Sequence, residues 1–139
     1  MTLPVTFLSD LQELVECQSP SEDLNACNEV VAQAVQIAGR NLQPAAEIHS
    51  YGGRPVFWWG SGQPEVVLLC HLDTVWPINS YLPLWRQEGD KIFGPGIFDM
   101  KAGFLQAMYA LKDIPQAFDK VALIGTTDEE IGSHASRAL

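Results

Sequence analysis

The chain has 139 residues, enough for one domain that buries about two thirds of the surface its unfolded form exposes. Its 17 acidic residues against 8 basic ones give a net charge of −9, which argues against nucleic-acid backbones and anionic membranes as partners. Apolar residues make up 47% and charged residues 18%, the balance of an ordinary globular domain, and no apolar run reaches the length of a membrane span.

Cysteine usage and the amino terminus bear on location. Cys17, Cys27 and Cys70 form no CxxC pair, and an odd count with Cys70 inside an apolar run predicts reduced thiols and a cytoplasmic setting. The first basic residue is Arg40, so the beginning of the chain carries neither a basic signal region nor an arginine-rich transit sequence.

Phe7, Leu8, Leu11, Leu14 and Val15 recur at helical spacing and predict a first helix ending near Cys17. Ser19-Pro20-Ser21-Glu22 has the pattern of a capping box, and Leu24, Cys27, Val31, Ala34 and Ala38 predict the second helix, stopped by Gly39. Two strands are expected over 45–49 and 55–59, on either side of Tyr51-Gly52-Gly53-Arg54. Trp58 and Trp59 have few basic neighbours, so strand packing explains them better than base stacking, and the isolated His49 reads as structural.

Val66 to Cys70 is a continuous apolar run that predicts a strand buried on both faces, and it leads into His71-Leu72-Asp73. A loop over Thr74 to Pro83 follows, then a small hairpin around Glu88-Gly89-Asp90. Gly94-Pro95-Gly96-Ile97-Phe98-Asp99 lets the backbone turn sharply and delivers Asp99 just before a third helix over 102–112. This segment matches neither phosphate-binding glycine pattern. Val121 to Thr126 is the second buried strand, and it runs into Thr127-Asp128-Glu129-Glu130.

Polar residues at the carboxyl ends of buried strands stand where open α/β sheets place ligands. Right-handed crossovers would gather His71 with Asp73, then Asp99, then Glu129 with Glu130, on one edge. Imidazole plus carboxylates is a ligand set for zinc or a similar divalent ion, and an unligated glutamate beside it can serve as general base. Each piece also has a plainer reading: a core histidine tied to a local carboxylate, and a solvated acidic loop.

Three blocks together, His71-Leu72-Asp73-Thr74-Val75, Gly94-Pro95-Gly96 through Asp99-Met100-Lys101, and Asp128-Glu129-Glu130-Ile131-Gly132-Ser133, resemble the two-zinc exopeptidases and deacylases. That family includes glutamate carboxypeptidase, acetylornithine deacetylase, succinyl-diaminopimelate desuccinylase and aminoacylase. The resemblance implies an α/β, three-layer catalytic domain with a mostly parallel central sheet, of which residues 1–139 would be a truncated amino-terminal part. It implies that His71 binds one metal, Asp99 bridges two, Glu130 binds the second, Glu129 is the general base and Asp73 orients His71. It also implies two zinc ions (with cobalt or manganese as substitutes), a cis peptide after Asp99, and a small peptide or N-acyl amino acid as substrate. The family's further acidic ligand, last histidine and dimerisation domain have no counterpart here, so a homodimer is expected only of a full-length protein. His134 matches no family ligand and reads as exposed and structural. Two functions stay open: a metal-dependent amide hydrolase completed by further sequence, or a non-catalytic remnant that binds metal weakly or associates with a partner.

Overall fold

In a computed structural model, which describes residues 4–139, the helical periodicities become α1 (Val5–Glu16) and α2 (Leu24–Asn41). Phe7, Leu11, Leu14 and Val15 of α1 are buried together with Val30, Val31, Ala34 and Ile37 of α2, so the two apolar stripes share one core. The start of α2 differs from the expected capping box. Asp23 is the N-cap and accepts a hydrogen bond from the Ala26 N–H at 3.0 Å, which leaves Ser19 to Glu22 outside the helix. At its other end α2 runs past Gly39 to Asn41, with Gly39 in helical backbone like its neighbours.

Strands β1 (Glu47–Tyr51) and β2 (Arg54–Gly60) form an antiparallel hairpin turned by Gly52 and Gly53, both at positive φ as a two-residue turn of this hand requires. β3 (Val66–His71) follows, then the separate small hairpin of β4 (Arg86–Glu88) and β5 (Lys91–Phe93). The helix α3 (Ala102–Lys112) and the strand β6 (Val121–Thr126) complete the set, both within the expected bounds.

The main sheet has the order β1-β2-β6-β3. The chain is α/β as expected, but its strand directions are not mostly parallel. Only β3 and β6 run parallel, whereas β1–β2 and β2–β6 are antiparallel. The reason is local: the tight Gly52-Gly53 turn reverses β2 against β1, and β2 then lies beside β6 in the opposite direction. The helices cover one face, with α2 against β1 and β2 and α3 against β3 and β6. Phe57 of β2 meets Phe104 of α3 edge to face at 5.0 Å, and Trp59 donates its indole N–H to the Pro44 carbonyl at 2.9 Å.

Only this one helical layer is present among the described residues. On the opposite face Val56, Ala122 and Ile124 form a small cluster with Trp58 and Tyr51, while Val67 and Leu69 stay 49% and 63% exposed. The expectation that β3 is buried on both faces therefore fails, since β3 is the end strand of the sheet and alternate residues point away from the helices. What the β3–β6 pairing does achieve is alignment. His71 stands opposite Thr126, so both strands end at one level and release their polar successors on the same edge.

Candidate metal centre

His71 is the last residue of β3, with a side chain only 5% exposed and both ring nitrogens engaged. Nδ1 lies 3.1 Å from the Asp73 carbonyl oxygen and 3.4 Å from its Oδ1. Nε2 lies 3.0 Å from Asp99 Oδ1 and 3.8 Å from Glu129 Oε2. Burial alone would lower the His71 pKa, but the hydrogen bonds its ring donates to the Asp73 and Asp99 carboxylates outweigh it and hold the ring up at about 9.

Asp73 is fully buried and organises what surrounds it. Its Oδ2 accepts the Ser21 hydroxyl at 2.6 Å and the Glu130 N–H at 3.2 Å, and its Oδ1 accepts the Glu129 N–H at 3.4 Å. Burial would raise its pKa, yet the donors from His71, Ser21 and Glu130 bring it below the usual carboxylate value. One carboxylate thus ties the histidine to the backbone of both glutamates.

Asp99 arrives by a different route. Gly96 sits at φ 72°, and a Cβ there would stand 2.6 Å from the Thr74 methyl, so only glycine permits this approach. The Asp99–Met100 peptide is cis, as the resemblance implies. Lys101, fully buried, donates from Nζ to the carbonyls of Leu14 at 3.0 Å and Cys17 at 2.9 Å, tying the segment to the end of α1. Burial lowers its pKa to about 8.

Of the three consecutive carboxylates after β6, two face the site. Asp128 turns inward, is buried, and accepts the backbone N–H groups of Ala135 and Ser136 at 2.8 and 3.0 Å. Glu129 and Glu130 stay with His71, and one ligand atom from each of these three lies within 4.8 Å of the others. Glu130 has a raised pKa, from burial first and then from repulsion by Asp99, Glu129 and Asp73, against the pull of His71. An imidazole with two carboxylates within ligand reach of one another, and Asp99 on the same imidazole, suits a divalent cation, so the residues present fit the implied metal. His134 is exposed and bonds Arg137, and it is not among the grouped ligand atoms.

Two contributors were missed in the sequence. Ser21, expected at a helix start, instead supplies the shortest hydrogen bond to Asp73. Its segment lies along the exit of β3, with the Ser19 hydroxyl on the Leu72 carbonyl at 2.7 Å. Arg54, in the β1–β2 turn region, donates to the Thr127 and Ser21 carbonyls, each at 2.5 Å, and so joins the Glu129 approach to the Ser21 segment. The alternation Ser-Pro-Ser was the one available sign that this stretch presents hydroxyls to a strand end.

Comparison with known proteins bears on the family and the fold. Residues 67–139 match peptidase family M20/M25/M40. The chain is 37% identical over 86 residues to carboxypeptidase G2 of Pseudomonas sp. (strain RS-16), spanning 58% of this chain and 20% of that protein. Its fold superposes on an M20 family metallo-carboxypeptidase, Sso-CP2 of Sulfolobus solfataricus, with a TM-score of 0.73 and 22% identity over 98% of this chain. Human carnosine dipeptidase 1 gives a TM-score of 0.67 and 20% identity over 92% of this chain. The chain spans 33% of the length of each of these two structures.

Proposed function

Because the chain belongs to peptidase family M20/M25/M40, we propose that residues 1–139 form the amino-terminal part of a metallohydrolase catalytic domain whose whole enzyme cleaves an amide bond in a small peptide or N-acyl amino acid. The observation that carries this reading is the meeting of His71, Asp99, Glu129 and Glu130 at the sheet edge. In it His71, Asp99 and Glu130 would hold the divalent ions, with Glu129 left unligated beside them. Zinc is the first choice for such donors, and cobalt or manganese are substitutes. Two ions at such a site supply Lewis-acid polarisation of a carbonyl and a lowered pKa for water, to around 7.

The remaining work falls to the chain's own groups. Asp73 accepts the Nδ1 proton of His71, which fixes the tautomer and leaves Nε2 as the ligand atom. Glu129, about half exposed with its side chain at 53%, takes a proton from the attacking water. The water oxygen bonds to the carbonyl carbon, the carbon–nitrogen bond breaks, and Glu129 passes the proton to the departing amine. The three free thiols support a cytoplasmic location. No helix among the described residues is long and apolar enough to cross a membrane. Homodimerisation is assigned to a longer protein only.

One observation favours a second reading. The ligand atoms of His71, Glu129 and Glu130 lie within 4.8 Å of one another, which suits a single ion with Glu129 as a ligand in a binding module without catalysis. Zinc titration of Glu129→Gln and Glu130→Gln separates the two. The hydrolase reading predicts that Glu129→Gln keeps zinc, while Glu130→Gln weakens it by at least about tenfold. Loss of zinc from Glu129→Gln would favour the single-ion module and refute Glu129 as an unligated base.

A further inference from the structure

Neither the β4–β5 hairpin nor the loop after Thr74 takes part in the steps assigned to His71, Asp73, Asp99, Glu129 and Glu130. Together they wall a cleft of about 560 Å³, within the usual size of small-molecule sites. Val75, Trp76, Tyr81, Phe93, Ile97 and Phe98 line it, and Asp99 and Glu130 stand in the same wall. Trp76 and Tyr81 meet edge to face at 5.0 Å, and Phe98, immediately before Asp99, is 99% exposed. Arg86 lies over the Phe93 ring at 4.2 Å but pairs with Glu88, so it offers no free cation to the cleft. Among the described residues, the only charged groups in the lining are the two carboxylates. The rest of the lining is largely apolar and aromatic, so an aromatic or bulky apolar substituent is accepted there.

The position of Glu129 gives the cleft a direction. Glu129 does not line it, and instead borders an adjoining cavity with His71, Leu69 and Trp58, the two meeting at Asp99. A base that returns its proton to the departing amine must face that amine, so the amine side belongs to the Glu129 cavity and the carbonyl side to the aromatic cleft. We infer that the cleft is the subsite for an aromatic or bulky apolar group on the carbonyl side of the scissile amide. The direction rests on the amide-hydrolase reading, whereas the preference for an aromatic group does not.

Binding, rather than turnover, tests it. The metal-free chain is titrated by NMR with N-benzoylglycinamide and N-acetylglycinamide. The benzoyl compound is expected to bind about tenfold more tightly, from burial of one ring. Phe98→Ala and Trp76→Ala, both at exposed positions, should each remove most of that advantage while the thermal midpoint stays put. Equal affinity for the two compounds, or a benzoyl preference untouched by both substitutions, would overturn the subsite. With zinc present, N-benzoylglycinamide should still outbind N-acetylbenzylamine, whose ring lies on the amine side. Equal binding of that pair would overturn the carbonyl-side placement. Failure of zinc to bind at all would sink the hydrolase reading and the direction drawn from it, but leave the metal-free result standing.

Discussion

Removing the Ser21 hydroxyl tests how the metal-site residues are held without touching any of them. In Ser21→Ala, Asp73 loses the donor at 2.6 Å but keeps the Glu129 and Glu130 N–H groups and His71. A hydrogen bond to a charged group is worth about 1.5–3 kcal/mol, and with the other donors still in place the loss should fall near 2 kcal/mol. For a domain of this size that corresponds to a fall of about 6 °C in the thermal midpoint. Because Asp73 orients His71 and both glutamates, zinc affinity should also fall, by up to about tenfold. Calorimetry of metal-free and zinc-loaded protein measures both. In an Asp73→Asn background the same substitution should cost roughly 1 kcal/mol, since the acceptor is now neutral. A midpoint unchanged in Ser21→Ala, or an equal loss in both backgrounds, would refute the argument that Ser21 acts through the Asp73 charge.

His71 sets a pH dependence whose sign can be worked out. Its folded-state pKa of about 9 lies above the unfolded value of 6.5, so its contribution is complete below pH 6.5 and is lost as pH rises through 9. The full difference corresponds to roughly 3 kcal/mol. Lys101, lowered to about 8, works in the opposite direction above that pH, so the decline in stability of metal-free protein should be clearest between pH 6.5 and 8 in urea titrations. A stability that rises across that window, with His71→Asn showing the same rise, would contradict the assignment. Zinc must displace the His71 proton, so its affinity should drop as pH falls, with proton release measurable by calorimetry in buffers of different ionisation enthalpy. Finally, the 139-residue chain with zinc is expected to leave N-acyl amino acids and dipeptides intact. Asp99 plus one further ligand per ion falls short of the three usual at a catalytic zinc. Turnover that vanishes in Glu129→Gln would show that these ligands suffice.

The parts that were readable in the sequence are those fixed by short-range pattern. Phe7 to Val15 and Leu105 to Tyr109 carry helical periodicity, and Val66 to Cys70 and Val121 to Thr126 are apolar runs long enough to mark strands. Because those two strands pair in parallel and in step, His71 meets Glu129 and Glu130 in space, and Asp99 joins His71 by the glycine turn at Gly96. Strand direction was not readable, since nothing local to β2 says that it lies antiparallel to a strand beginning more than sixty residues later. Ser21 was misread for a related reason. A serine ahead of an apolar helix serves equally as a cap or as a donor to a distant carboxylate, and the choice depends on Asp73, 52 residues away. Asp128 shows the same limit: composition groups it with Glu129 and Glu130, but the following turn draws it into the backbone of Ala135 and Ser136.

The most direct measurement of the central claim is anomalous diffraction at the zinc edge from crystals of zinc-loaded protein. The account predicts two peaks roughly 3.5–4 Å apart, one bound by His71, the other by Glu130, with Asp99 touching both and Glu129 touching neither. A single peak held jointly by His71, Glu129 and Glu130, or zinc seated elsewhere with Asp99 unligated, would contradict it.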